Sequence, residues 1–239
     1  MSTLTSDPDA VYDRGDSRFI SYRPERRSAD EVLRRAKAFY EELDARRSVR
    51  MFSPDPVPRE AIEYAIRAAS TAPSGAHQQP WTWVIVGDAE TKHKMRVAAE
   101  EEERTNYEGG RMSEEWQGAL KPLGTNSNKP YMDIVPWIVV AFEQIHGYNE
   151  DGSIKKHYYA KQSVGIACGM FISALHVMGL ATLTHTPSPM AFLSKLLERS
   201  SNEKPFAVFP VGYPADDCIV PDISRKSLGQ ITAAPPRRS

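Results

Sequence analysis

The longest apolar stretch of this chain, Val164 to Leu183, sets the first limit on its fold. It contains His176 and many small residues, and Lys161 and Gln162 lie directly before it. A helix buried in a protein core fits that pattern better than a membrane span. The spacing predicts a helix from about His157 to Met178, stopped at Gly179, since glycine takes the left-handed conformation at a helix end most readily. Because this helix is apolar almost all round, it needs cover on more than one side. Its own sheet and a second subunit would together provide it.

The 239 residues are enough for one sizeable domain. Residues 1–28 are polar and read as an extended arm, and Met1 to Asp9 lacks the basic start and apolar run of a signal peptide. Ser28 and Glu31 form a capping-box pattern ahead of a helix whose apolar stripe is Val32, Leu33, Ala36, Phe39, Tyr40 and Leu43. A second helix starts near Pro58, a residue suited to a first turn, and carries Ala61, Ile62, Ala65, Ile66 and Ala69. Strands are expected at Trp81 to Val86, Ile134 to Phe142, Leu180 to Thr184 and Phe206 to Val211. Further helices are expected at Ala89 to Tyr107 and Pro189 to Arg199, and Val220 to Ile231 reads as extended. Between them, residues 100–130 hold four successive glutamates, the pair Gly109-Gly110 and few apolar side chains. Such a stretch buries little surface to offset its ordering entropy and reads as a mobile flap with one or two marginal helices. The pattern is α+β, with one domain over residues 29–239 and an extended tail at 220–239.

With 30 basic and 31 acidic side chains, the chain lacks the basic excess of a nucleic-acid binder. No run of like charge exceeds four residues, so attraction to a membrane surface has little support. Cys168 and Cys218 sit in no CxxC or Cys/His pattern, which argues against a disulfide framework or a zinc site. A cytoplasmic location is expected.

Three short segments carry chemistry. Arg46-Arg47-Ser48-Val49-Arg50 offers three forked, permanently charged guanidiniums and a hydroxyl, a donor set that suits a phosphate. In an extended chain Arg46, Ser48 and Arg50 would point one way and Arg47 the other. The same residues equally suit a solvated basic helix end facing the helix dipole, and composition does not separate the two. Thr71 to Trp81 is rich in small residues that let backbone approach a flat ligand, and also reads as a plain helix-to-strand loop. Thr184-His185-Thr186-Pro187 ends a strand with hydroxyls, and His185 has no Cys or Ser partner in a recognisable arrangement.

Taken in order, Arg46 to Arg50, Thr71 to Pro80 and Gly212-Tyr213-Pro214 resemble the nitroreductase superfamily. The closer similarity is to the iodotyrosine deiodinase family, from about Phe19 to Ile231. It is carried by Ala72-Pro73-Ser74-Gly75-Ala76-His77, Lys92-His93-Lys94, Glu101-Glu102-Glu103-Arg104-Thr105-Asn106-Tyr107, Lys156-His157-Tyr158-Tyr159, Ile166-Ala167-Cys168-Gly169 and Val220-Pro221-Asp222. Several of these motifs lie in the flap, where related flavoenzymes differ most.

The resemblance implies a central, mostly antiparallel sheet flanked by helices in a domain-swapped homodimer that binds FMN between subunits. Arg46, Arg47, Ser48, Arg50 and Arg225 would hold the FMN phosphate, and Pro73, Ser74 and Gly75 would lie along the isoalloxazine. Thr184, His185 and Thr186 would line its other edge, with the Thr186 hydroxyl near flavin N5, where it would favour one-electron steps. The Ala76 N–H would donate to the phenolate oxygen of a halotyrosine. Glu103, Tyr107 and Lys129 would take the substrate's amino-acid end, and chemistry supports this separately. Glu103 and Tyr107 are four apart and share a helix face, and a zwitterion needs opposite charges placed close together.

The implied activity is FMN-dependent reductive dehalogenation of halotyrosines, with electrons from a reductase or NAD(P)H and no side-chain nucleophile or metal. Two departures stand out: vertebrate members carry an N-terminal membrane anchor that is not seen here, and His185 lies where a smaller hydroxyl residue is expected. An NAD(P)H-dependent nitroreductase or quinone reductase would share Arg46 to Arg50 without needing Glu103, Tyr107 and Lys129. A non-catalytic flavin or amino-acid binding protein would need the same pocket.

Overall fold

The computed structural model describes residues 11–235; the expectation made for Met1 to Asp9 lies outside the described residues. Two compact units divide after Ala45. In the first, β1 (Val11–Arg14) and β2 (Ser17–Ile20) pair as an antiparallel hairpin. The expected extended arm therefore folds back on itself, turning at Gly15, which sits at φ +62°. Helix α1 (Ala29–Ala45) follows, with Ser28 Oγ accepting from the Glu31 N–H at 3.3 Å. That bond is the first half of the expected capping box, but the Glu31 carboxylate accepts from Arg34 and Arg35 at 2.7 and 2.6 Å. None of the residues of α1 is buried, and Val32, Leu33, Phe39 and Tyr40 are all exposed.

The second unit runs α2 (Arg59–Ala69), a 3₁₀ turn at Gly75–His77, β3 (Trp81–Val86), α3 (Ala89–Tyr107), and α4 (Glu114–Leu120) with a further 3₁₀ turn at Lys121–Leu123. It continues through α5 (Tyr131–Ile134), β4 (Trp137–Gln144), β5 (His146–Tyr148), β6 (Ile154–Lys156) and α6 (Ala160–Val177). Last come β7 (Ala181–Thr182), α7 (Ala191–Leu196), β8 (Glu203–Gly212) and α8 (Leu228–Ile231).

The sheet has the order β3-β4-β8-β7 with every neighbour antiparallel, as expected, and its alternation explains the core. Along β4, Val139 and Ala141 face one cluster, joined by Ala207, Phe209 and Val211 of β8 and closed by α2 and α6. Ile138, Val140 and Phe142 face the other, closed by Met95 and Ala99 of α3, Met132 of α5 and Leu193 of α7. Both faces of β4 are covered, which is why its sequence reads as an unbroken apolar run.

Several boundaries differ from expectation for local reasons. Pro136 holds Val135 extended (φ −59°, ψ 141°), so the expected strand begins only at Trp137 and the residues before it form α5. β7 is two residues long, and the chain rejoins β8 at His185, which bridges Val208. β8 starts three residues early, the β5–β6 hairpin was not anticipated, and α6 begins at Ala160. α7 is confined to six residues. In the tail, Ser227 and Gln230 form a complete capping box that starts α8 where extended chain was expected. Among the described residues no helix is long and apolar enough to cross a membrane.

Candidate active site

A cavity of about 520 Å³ opens between α3, the α4 segment and the chain that follows β7. Helix α3 is fixed at its start by the Asp88 carboxylate, which accepts from the Thr91 N–H at 2.7 Å. It is held along its length by Lys92 Nζ, which donates to the Val135 carbonyl at 2.6 Å. Glu103 and Tyr107 therefore reach the cavity from one face of a firmly placed helix, and Lys129 meets them there. Lys129 Nζ lies 3.9 Å from Glu103 Oε2 and 5.8 Å from the centre of the Tyr107 ring. Both charged side chains are nearly buried, at 3% and 9% exposure. Burial raises the Glu103 pKa, with Lys129 working against it, and burial lowers that of Lys129, with Glu103 opposing. At 3.9 Å the pair is too long for a hydrogen bond, and the ammonium donates instead to the Asn126 carbonyl and, at 3.4 Å, to Thr125 Oγ1. The segment expected to be a flap, residues 100–130, thus takes in the last turns of α3, one short helix and a 3₁₀ turn, and Glu103, Asn106 and Lys129 within it are buried.

The opposite wall is Thr184-His185-Thr186. His185 donates its N–H to the Val208 carbonyl at 2.8 Å and accepts from the Val208 N–H at 2.9 Å, which fixes its orientation. Strand alternation then buries His185 and leaves Thr184 and Thr186 exposed. The imidazole Nδ1 lies 3.2 Å from the Tyr131 hydroxyl, and Nε2 has no partner among the described residues. Burial, then the nearby charges of Lys129 and Arg50, lowers the His185 pKa to about 3, so the ring is neutral. Burial likewise holds the Tyr131 phenol well above its ordinary value. Tyr131 was not singled out from sequence: it lies two residues after Lys129, and only their shared cavity relates them.

A second cavity of about 200 Å³ is lined by Arg46, Arg47, Ser48, Arg50, Ser224 and Arg225. The Arg46–Arg50 segment runs extended beside β7, with Ser48 bridged to Thr182 and the Val49 N–H donating to the Thr182 carbonyl at 3.2 Å. Arg47, expected to point away, lines the cavity too, because its guanidinium donates to the Pro221 carbonyl of the tail. Arg225 Nη2 donates to the Arg46 carbonyl at 2.8 Å. Burial, then the like charges of Arg225 and Arg47, lowers the Arg46 pKa. Arg50 and Leu123 line both cavities, so the two adjoin.

Pro73, Ser74, Gly75 and Ala76 line neither of these cavities. Their loop is pinned to the entry of α6: Gly75 N–H donates to Ser163 Oγ at 3.3 Å, and the Gln78 side chain bonds Tyr158 N and Lys156 O, each at 2.8 Å. Ser74 Oγ accepts from the Gln79 N–H at 2.9 Å, while Ala76 sits exposed at φ 49°. Within one chain the expected cofactor residues therefore fall into two groups.

Residues 43–213 match the model of the Nitroreductase family. An iodotyrosine deiodinase of Haliscomenobacter hydrossis is 49% identical over 213 residues, covering 89% of this chain and 96% of that protein. Iodotyrosine deiodinase 1 of Homo sapiens is 48% identical over 202 residues, 84% of this chain and 70% of its own length. In three dimensions the chain is similar to a crystal structure of oxidized iodotyrosine deiodinase bound to FMN and 3-iodo-L-tyrosine, with a TM-score of 0.71 and 28% identity over 80% of this chain and 96% of that one. The fold recurs in a nitroreductase with bound FMN from Bacteroides fragilis, with a TM-score of 0.59 and 18% identity over 82% and 98%. The chain belongs to the nitroreductase family and, within it, to the iodotyrosine deiodinases.

Proposed function

We propose that the protein is an FMN-dependent reductive dehalogenase that converts halotyrosines to tyrosine and halide. The observation that carries this reading is the buried Glu103–Lys129 pair, set in a cavity that adjoins an arginine-lined one. Four guanidiniums and two serine hydroxyls line the smaller cavity, and no carboxylate does so among the described residues. Four guanidiniums lining one small cavity call for an anion, and a phosphate monoester fits that donor set.

Arg46, Arg47, Ser48, Arg50 and Arg225 would hold the FMN phosphate. FMN supplies, when bound, the electrons that replace the carbon–halogen bond by carbon–hydrogen: two electrons and one proton in, one halide out. In the larger cavity Glu103 accepts from the substrate ammonium, and Lys129 and the Tyr107 hydroxyl donate to its carboxylate. Because Glu103 and Lys129 are not hydrogen-bonded to each other, a zwitterion can enter between them without first breaking a short ion pair. Thr186, exposed on the cavity wall, would offer its hydroxyl to the flavin edge, with Thr184 and buried His185 completing that wall. Trp116, Leu120 and Leu123 line the cavity and would help to keep water from the reacting ring.

The Pro73–Ser74–Gly75 segment and the Ala76 N–H would reach the flavin and the phenolate oxygen from the partner in a homodimer. That reading is supported by the exposure of Pro73 and Ala76 away from both cavities and by the uncovered Gly165, Ile166 and Gly169 on α6. Electrons would come from a reductase or from NAD(P)H. A cytoplasmic site of action suits Cys168 and Cys218, both of which are free thiols.

The test is anaerobic reduction of the FMN-loaded protein with dithionite in the presence of 3-iodotyrosine, scoring tyrosine and iodide. Stoichiometric release, lost in Glu103→Gln and Lys129→Gln, is the expected result. FMN binding with no dehalogenation would overturn the reading and leave a nitroreductase-type enzyme.

A further inference from the structure

Lys129 depends on a support that lies outside the substrate cavity. Residues 121–128, which lead into it, are mostly exposed and supply no helix to carry it beyond the turn at Lys121–Leu123. Its backbone is instead fixed by α3: the Lys129 N–H donates to Glu100 Oε1 at 2.6 Å, and both residues are buried. The same oxygen accepts from Arg96 Nε at 2.8 Å. Arg96 Nη1 reaches Asp133 Oδ2 on α5 at 2.7 Å, and His93 Nδ1 lies 3.2 Å from that oxygen. Residues 129–133 are thus gripped at both ends by one helix.

We propose that Glu100, held in place by Arg96, is a positioning residue that sets affinity for the amino-acid end of the substrate by fixing the Lys129 backbone one helical turn from Glu103. The inference rests on the zwitterion reading of Glu103 and Lys129 given above. Its physical content is a shared ruler. The helix that carries the carboxylate for the substrate ammonium also anchors the lysine for the substrate carboxylate, so the separation of the two charges follows from helix geometry. Burial works to raise the Glu100 pKa, but the Lys129 amide and Arg96 outweigh it, so the acceptor is anionic and strong. Glu100 does not line the substrate cavity.

The test compares two probes with the same halogenated ring, 3-iodotyrosine and 2-iodophenol, the second lacking the zwitterion. Dissociation constants are read from flavin fluorescence in the FMN-loaded protein, with KM and kcat measured separately. Glu100→Ala is expected to weaken 3-iodotyrosine about tenfold, in KM rather than kcat, and to leave 2-iodophenol within about twofold. Glu100→Gln, whose side-chain oxygen still accepts from Lys129, should recover most of the loss. Arg96→Gln, which frees Glu100 and Asp133 from the other side, should show the same split between probes more weakly. It also serves if Glu100→Ala does not fold. Equal loss for both probes, or no loss for 3-iodotyrosine, would overturn the proposal. Lys129→Gln run alongside separates the two readings. If it fails to discriminate between the probes, the zwitterion reading falls. If it discriminates and the Glu100 and Arg96 variants do not, only the positioning role falls.

Discussion

The Tyr131 hydroxyl lies 3.2 Å from Nδ1 of His185, and the other ring nitrogen of that histidine is buried without a partner among the described residues. Protonating the ring would add a second N–H at a buried nitrogen that has no partner among the described residues, in a site already facing Lys129 and Arg50. The imidazole is therefore a neutral element of the cavity wall.

This neutrality costs stability in acid. The folded-state pKa of His185, about 3, lies below the ordinary imidazole value of 6.5, so the unfolded chain binds the proton first as pH falls. The contribution is fully present above about pH 6.5 and is lost progressively toward pH 3, amounting to about 2 kcal/mol by pH 5. Urea denaturation at pH 7.5 and pH 5 should show that loss in the native protein and a much smaller one in His185→Thr. Identical losses in both proteins would mean that His185 is not buried in its neutral form.

Substrate binding should respond to pH from both sides. Burial raises the Glu103 pKa above 4.5, so that carboxylate is lost at a higher pH than a free one. Burial lowers that of Lys129 below 10.5, so its charge is lost at a lower pH than a free ammonium. Affinity for 3-iodotyrosine should thus follow a bell narrower than the free side chains would give. Glu103→Gln should remove its acidic limb and Lys129→Gln its alkaline limb. A profile with the same limbs in both variants would assign the titrations to other groups.

The tail closes the arginine cavity through Arg225, which bonds the Arg46 carbonyl, and through Pro221, which accepts from Arg47. Arg225→Ala removes one guanidinium and one strut together. FMN affinity, measured by fluorescence titration of the apoprotein, should fall about tenfold or more, with little change in melting temperature. Unchanged affinity would place the phosphate elsewhere.

The sheet, α3 and α6 were legible because burial writes a period into sequence: β4 and β8 are apolar runs, and α6 has no polar face to hide. What was not legible depended on single residues acting locally. Pro136 shifts the start of β4, Gly15 turns the arm into a hairpin, and Ser227 with Gln230 starts a helix in a tail without apolar rhythm. The candidate site divided the same way. Glu103 and Tyr107 were related by helix spacing, and Lys129 joined them through family resemblance. Tyr131 and Glu100 gain their places only from folding, since a buried hydroxyl facing His185 and a carboxylate under a backbone amide leave no spacing to read.

Gly75 is where the loop of residues 73–76 meets the entry to α6, and the contact leaves no room for a side chain. A Cβ there would stand 2.2 Å from the Tyr158 carbonyl oxygen and 2.9 Å from its carbon, both backbone atoms that cannot rotate away. Gly75→Ala must therefore push the loop off Tyr158, straining the bonds from Gly75 to Ser163 and from Gln78 to Tyr158. Overpacking of this kind costs about 2 kcal/mol, or a fall of roughly 5 °C in Tm for a chain of this size. Gly118 in α4 is the control, because a Cβ there meets nothing within 4 Å and alanine favours a helix. Gly118→Ala should leave Tm unchanged or raise it. If the loop also supports the flavin, Gly75→Ala should weaken FMN as well, whereas a fall in Tm with FMN affinity intact would confine the loop to a structural role. A Gly75→Ala protein as stable as the Gly118→Ala control would mean that the loop does not rest on Tyr158 at all.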